Sequence, residues 1–180
     1  MRNGPTPGSA ADDVPQADPE SVGRAILLRQ LTMGPRSEAQ LRQAMARRNV
    51  PEDVADRLIV RFVEVGLIDD AQYAAQFVQS QAAAGALSRR RVQHKLRQKG
   101  VAEDTVVAAV AQIDPVAERA AALDLARRRA ARMADLDETT RRRRLAGLLA
   151  RRGYPSETVF SVVAEVLAGD GADDETGDLP

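Results

Sequence analysis

The sequence predicts an all-α protein built as three tandem three-helix repeats, on three observations. Ala, Arg, Leu, Gln and Glu dominate the body, all good helix formers, and alternating β-branched runs are absent. Three segments superimpose when aligned on their turns, beginning SEAQLRQAMARRNV, SRRRVQHKLRQKGV and TRRRRLAGLLARRGY. Each is preceded by an aspartate placed to start another helix, at Asp18, Asp69 and Asp114.

Residues 1–17 are rich in Pro, Gly, Ala and Asp without periodicity, and are expected to be a disordered acidic leader. Repeat one is expected over 18–68. Asp18 caps its first helix, with Pro19 in the first helical position. Leu41 and Met45 line one face of the second helix, and Asn49 tolerates the left-handed conformation that ends it. Val50 then folds back, Pro51 suits the first turn of the third helix, and Leu58 and Ile59 face the core.

Repeat two, 69–113, repeats the pattern with Val92, Leu96, Gly100, Val101, Ala109 and Val110. Repeat three, 114–168, does so with Pro115, Leu145, Leu149, Gly153, Tyr154, Val162 and Val163. Residues 169–180, GDGADDETGDLP, are expected to be a disordered acidic tail. Hydrophobic residues make up 44% of the chain, enough for one sizeable core or a few small stacked ones.

The stretch GLIDDAQYAAQF puts two adjacent carboxylates, Asp69 and Asp70, at the start of repeat two. An acid/base pair or metal site needs converging side chains, but neighbours on a helix point about 100° apart. The architectural reading has Asp69 as N-cap, Gln72 completing a capping box, and Ile68 with Tyr73 as a hydrophobic staple. Asp70 then lies in the dipole-favoured first turn, and Tyr73 and Phe77 face the core one turn apart.

The chain has no cysteine, which excludes thiolate metal sites, disulfides and a cysteine nucleophile. Its single histidine, His94, lies in a basic run with no second imidazole and is expected to be solvated. No phosphate-cradling Gly-rich loop or metal-ligand spacing is present. No catalytic residue, metal or cofactor is therefore expected. No apolar run approaches the roughly 20 residues a bilayer span requires, so a cytoplasmic protein is the expectation.

A formal net charge of zero conceals an asymmetry. Residues 1–20 carry one basic and four acidic groups and residues 168–180 none and five, leaving 25 basic against 17 acidic, or +8, over 21–167. A polyanionic or acidic partner is one reading, and charged tails that keep an arginine-rich body in solution are the other. Two clusters carry most of the charge: Arg89, Arg90, Arg91, Lys95, Arg97 and Lys99, then Arg141, Arg142, Arg143, Arg144, Arg151 and Arg152. Both fall on the second helix of a repeat, opposite the apolar stripe, and are expected to face solvent as the candidate partner surface. A third run, Arg127, Arg128, Arg129 and Arg132, complements the dipole late in a helix. With aromatics at 3%, a base-stacking platform for single strands is not expected, and phosphate contacts would be salt-dependent.

Several of these residues resemble the RecX family, bacterial regulators of the RecA recombinase. Gly66, Leu67, Ile68, Asp69 and Asp70, followed by Tyr73 and Phe77 and then Leu96, Lys99, Gly100 and Val101, are similar to its central signature. Arg151, Arg152, Gly153 and Tyr154 are similar to its C-terminal segment. The resemblance covers roughly 21–167 and implies an elongated, curved array of three-helix repeats. It also implies a protein that binds the RecA–DNA filament and usually inhibits it, without enzymatic activity or a cofactor. The expected partners are the RecA filament and single- or double-stranded DNA backbone, with the protein a monomer and no membrane involved. The alternative is a sequence-tolerant DNA-binding repeat protein with no RecA role.

Overall fold

The computed structural model describes residues 18–85 and 88–172, and the leader 1–17 and tail residues 173–180 lie outside these. Among the described residues there are nine α-helices and no strand. They are α1 (Pro19–Thr32), α2 (Glu38–Ala46), α3 (Glu52–Glu64), α4 (Asp70–Ala83), α5 (Arg89–Gln98), α6 (Glu103–Ala111), α7 (Pro115–Ala130), α8 (Glu138–Arg151) and α9 (Ser156–Ala172).

The aspartate caps form as the spacing requires. Asp18 accepts from the Glu20 and Ser21 amides, Asp69 from that of Gln72, and Asp114 from that of Val116. Pro19 and Pro115 open α1 and α7, whereas Pro51 sits one residue outside α3 in extended backbone. The turn residues Asn49, Gly100 and Gly153 take φ of 56°, 75° and 88°, the left-handed region in which a Cβ is disfavoured. After each, the amide of Val50, Val101 or Tyr154 folds back to the carbonyl of Met45, Leu96 or Leu149. α9 runs on to Ala172, into the stretch read as tail, because its apolar face at Val162, Val163 and Val166 carries the helix past Gly169.

The chain divides into two compact units. Of the described residues, the first comprises 18–35 and Leu41–Ile68, with a core of Leu27, Leu41, Met45, Leu58, Ile59, Phe62 and their neighbours. Gly23 of α1 is buried there because a Cβ would stand 2.6 Å from Leu58 Cδ1.

The second unit comprises, of the described residues, Arg36–Gln40, 69–85 and 88–172, and holds two cores. One gathers Tyr73, Ala74, Val92, Leu96, Val101, Val106, Ala109 and Ile113 from α4–α6. The other gathers Ala122, Ala126 and Ala130 of α7 against Leu145, Leu149, Tyr154, Val159, Val162 and Val163. The alanine stripe on α7 lets its backbone approach α8 and α9 closely. Ile68 is buried in the first unit's core and Tyr73 in the second's, so each serves its own core where the sequence paired them as a staple. Tyr73 stacks on Phe77 at a centroid distance of 6.4 Å, and Phe77 is only partly buried.

Two carboxylates finish the middle helices of preceding repeats. Asp70, at the start of α4, accepts from the Glu38 amide at 2.8 Å and so caps α2. Glu118 on α7 accepts from the Arg89 amide at 2.8 Å and so caps α5, beside that helix's own cap Ser88. α8 is capped by Asp137, which accepts from Thr140 at 2.9 Å. That bond holds the Asp137 carboxyl below its ordinary value. Ser37 completes α2 through a reciprocal box with Gln40, and its hydroxyl donates to the Lys99 carbonyl.

Candidate functional site

Asp69 and Asp70 do not converge: one caps its own helix and the other caps α2. Burial pushes the half-buried Asp70 carboxyl above its ordinary value. The Glu38 amide opposes that shift, and the Glu38 and Asp69 charges reinforce it. His94 is exposed on α5.

The cations of α5 are less free than their solvent-facing assignment. The Arg89 guanidinium is drawn onto the Ile113 carbonyl, with Nε at 3.0 Å, and stands 3.7 Å from Glu118. Arg91 donates to the Arg151 carbonyl at 3.0 Å, at the end of α8. Both arginines therefore supply donors to carbonyls left open where α6 and α8 stop. Arg97 pairs with Glu103 through two bonds of 2.7 and 2.5 Å, and that contact raises the guanidinium's pKa and lowers the carboxyl's. Lys95 donates to Gln81 at 2.7 Å, and Lys95 and Lys99 lie 6.0 and 5.5 Å from the Phe77 ring centroid. Burial lowers the Lys95 pKa, helped by the charges of Arg91, Lys99 and Arg152. Arg90 alone in this cluster is exposed without a bond to a described residue.

The cluster on α8 is arranged differently. Arg142 pairs with Glu138 at 2.5 Å, one turn back, and Arg141 is half-buried. Arg143, Arg144, Arg151 and Arg152, with Leu148, line one side of a concavity of about 580 Å³. The other side is lined by Leu125, Arg128, Arg129 and Arg132 of α7 and the turn that follows it. Seven arginines thus line one space. Arg128 pairs with Asp124, and the other six form no ion pair with a described residue.

Arg128, Arg129 and Arg132 were read from sequence as dipole complements at the end of α7. The structure places them opposite the arginines of α8. Their spacing of three and four residues was the available sign of one basic face. Gly66, Leu67 and Ile68 close the first unit, Leu96 and Tyr154 are buried, and Gly100 and Gly153 form turns, so these motif positions are architectural.

Tandem three-helix units with arginines on their middle helices define an all-α helical-repeat protein with strongly basic faces. The match to known proteins is specific. The models of the first, second and third three-helix domains of RecX match residues 24–62, 69–110 and 117–163. The chain belongs to the RecX family. It is 44% identical over 172 residues to the regulatory protein RecX of Thermobifida fusca, covering 96% of this chain and 91% of that one. With the regulatory protein RecX of Streptomyces coelicolor it shares 41% over 161 residues, covering 89% and 86%. With that of Mycobacterium tuberculosis it shares 39% over 155 residues, covering 84% and 89%. The crystal structure of RecX from Lactobacillus salivarius shares the fold, at a TM-score of 0.75 and 18% identity over 83% of this chain and 97% of that one. Among the described residues no helix is long and apolar enough to cross a membrane.

Proposed function

We propose that this protein binds a RecA–DNA filament and restrains it, lowering DNA-stimulated ATP hydrolysis, filament growth and strand exchange. The observation that carries this reading is the match of all three RecX three-helix domains, in order, along one chain. The protein acts as a cytoplasmic, non-enzymatic monomer without a cofactor. Its contacts are basic helix faces against acidic protomer surfaces or DNA backbone. Of the basic residues, Arg143, Arg144, Arg151 and Arg152 are the best suited, because their charge is not consumed by the fold. Arg89, Arg91 and Arg97 hold the protein together, and their part in partner binding is confined to their exposed surface.

The test is RecA ATPase on single-stranded DNA with substoichiometric protein added. Hydrolysis falls and filament assembly stalls if the reading is right, and both stay unchanged if it is wrong. A second reading, sequence-tolerant DNA binding without RecA, is favoured by the unpaired α7–α8 arginines alone. It requires DNA binding in the absence of RecA that weakens steeply with salt. Charge reversal at Arg143 and Arg144 separates the two better than reversal on α5, where a loss of folding would be read as a loss of binding.

A further inference from the structure

The α7–α8 concavity is densely charged, seven of its nine lining residues being arginines. Its volume of about 580 Å³ falls within the roughly 300–1,000 Å³ of small-ligand sites. Six arginines without a carboxylate partner among the described residues line it, with Arg128 as a seventh. Like charges gathered this closely repel one another, and a concave wall concentrates their field. An anion that enters relieves that repulsion at every guanidinium it reaches, and planar forks suit phosphate oxygens.

The shape of the space decides which anion. A nucleic acid strand separates successive phosphates by a whole sugar, so a concavity of this size admits few of them. A phosphoanhydride chain separates neighbouring phosphorus atoms by one bridging oxygen, and places several negative charges in the same volume. Leu125 and Leu148 give the concavity an apolar portion beside the charged one. We infer that the α7–α8 concavity is a binding site for a compact polyphosphate of three or more linked phosphates. Two sources share that chemistry, an inorganic chain and the triphosphate of a nucleoside. The site shares Arg143, Arg144, Arg151 and Arg152 with the filament reading but does not rest on it, because it needs no recombinase to fill.

The experiment is isothermal titration calorimetry of the full chain with sodium tripolyphosphate, with adenosine triphosphate, and with an oligothymidylate at matched phosphate concentration. Tripolyphosphate is expected to bind one to one. The double variant Arg132→Gln/Arg144→Gln is expected to bind it at least tenfold more weakly, with an unchanged thermal melt. Arg48→Gln/Arg61→Gln, two exposed arginines of the first unit, is expected to bind as the unaltered chain does. Tighter binding of adenosine triphosphate assigns the leucines to the nucleoside, and tighter binding of tripolyphosphate assigns the site to the inorganic chain. Absence of saturable binding, equal losses in both double variants, or tighter binding of the oligothymidylate would each overturn the proposal.

Discussion

Helices α5 and α8 hold equivalent places in successive repeats and both are studded with arginine around a narrow leucine or valine stripe, yet their cations do different work. On α5, Arg89 and Arg91 bind carbonyls at the ends of α6 and α8, Arg97 binds Glu103, and the lysines cover Phe77. On α8, Arg143, Arg144, Arg151 and Arg152 open onto a concavity instead. Position explains the difference. Arg89 reaches the end of its own repeat's last helix and Arg91 a helix end in the repeat that follows, whereas the arginines of α8 line a concavity with those of α7. A run of basic residues is thus structural cement in one repeat and a free surface in the next.

That contrast can be broken most forcefully at the turns that end the two helices. At Gly100, an added Cβ would meet Ala39 Cβ at 2.3 Å in addition to a φ of 75°. Gly100→Ala is expected to cost about 3 kcal/mol, from roughly 1–2 for the left-handed conformation and 1–3 for overpacking. At Gly153 the neighbours are the Ser88 hydroxyl at 3.0 Å and Arg91 Cβ at 3.3 Å, which can shift slightly. Gly153→Ala should cost less, about 2 kcal/mol. Urea unfolding of the two variants checks the order, and a larger loss at Gly153 would show that the α8 turn is the tighter one.

Next comes Arg89→Ala, expected to lower stability by about 1–2 kcal/mol once its partial exposure is discounted, since it strips the side-chain donors from the Ile113 carbonyl and removes the charge beside Glu118. Asp70→Ala removes the cap on α2 and should cost about 1 kcal/mol. Asp70→Asn keeps an acceptor and should leave stability at neutral pH equal or slightly higher. Because the folded protein holds the Asp70 proton more tightly than the unfolded chain, acidification from above the raised value toward 3.8 adds stability through this group. The asparagine variant should lose that contribution, measurable as a flatter stability profile in acid. Smallest is Arg144→Ala, within about 0.5 kcal/mol of the unaltered chain. If it also leaves RecA ATPase inhibition intact, the free face of α8 is not the working surface.

The repeat pattern was plain in the sequence because it is written in local chemistry. Aspartate caps, left-handed turn residues and i, i+4 apolar positions each act within a few residues, so Asp18, Asp69, Asp114, Asn49, Gly100 and Gly153 could be placed before any coordinates. What escaped were contacts made across tens of residues. Asp70 reaches Glu38, Glu118 reaches Arg89, and Arg91 reaches Arg151, and none of these is implied by periodicity. For the same reason Arg128, Arg129 and Arg132 looked like helix-end complements, since only the packing of α7 on α8 brings the two arginine sets together.

The carboxylate caps give the array a direction. α2 and α5 each add to their own serine cap a carboxylate that lies later in the chain, Asp70 and Glu118, whereas α8 is capped by its own Asp137. During synthesis from the N-terminus, each of the first two middle helices starts on its own serine and gains its second cap only when the next repeat is made. The same chemistry that starts those helices thus ties each of their repeats to its successor.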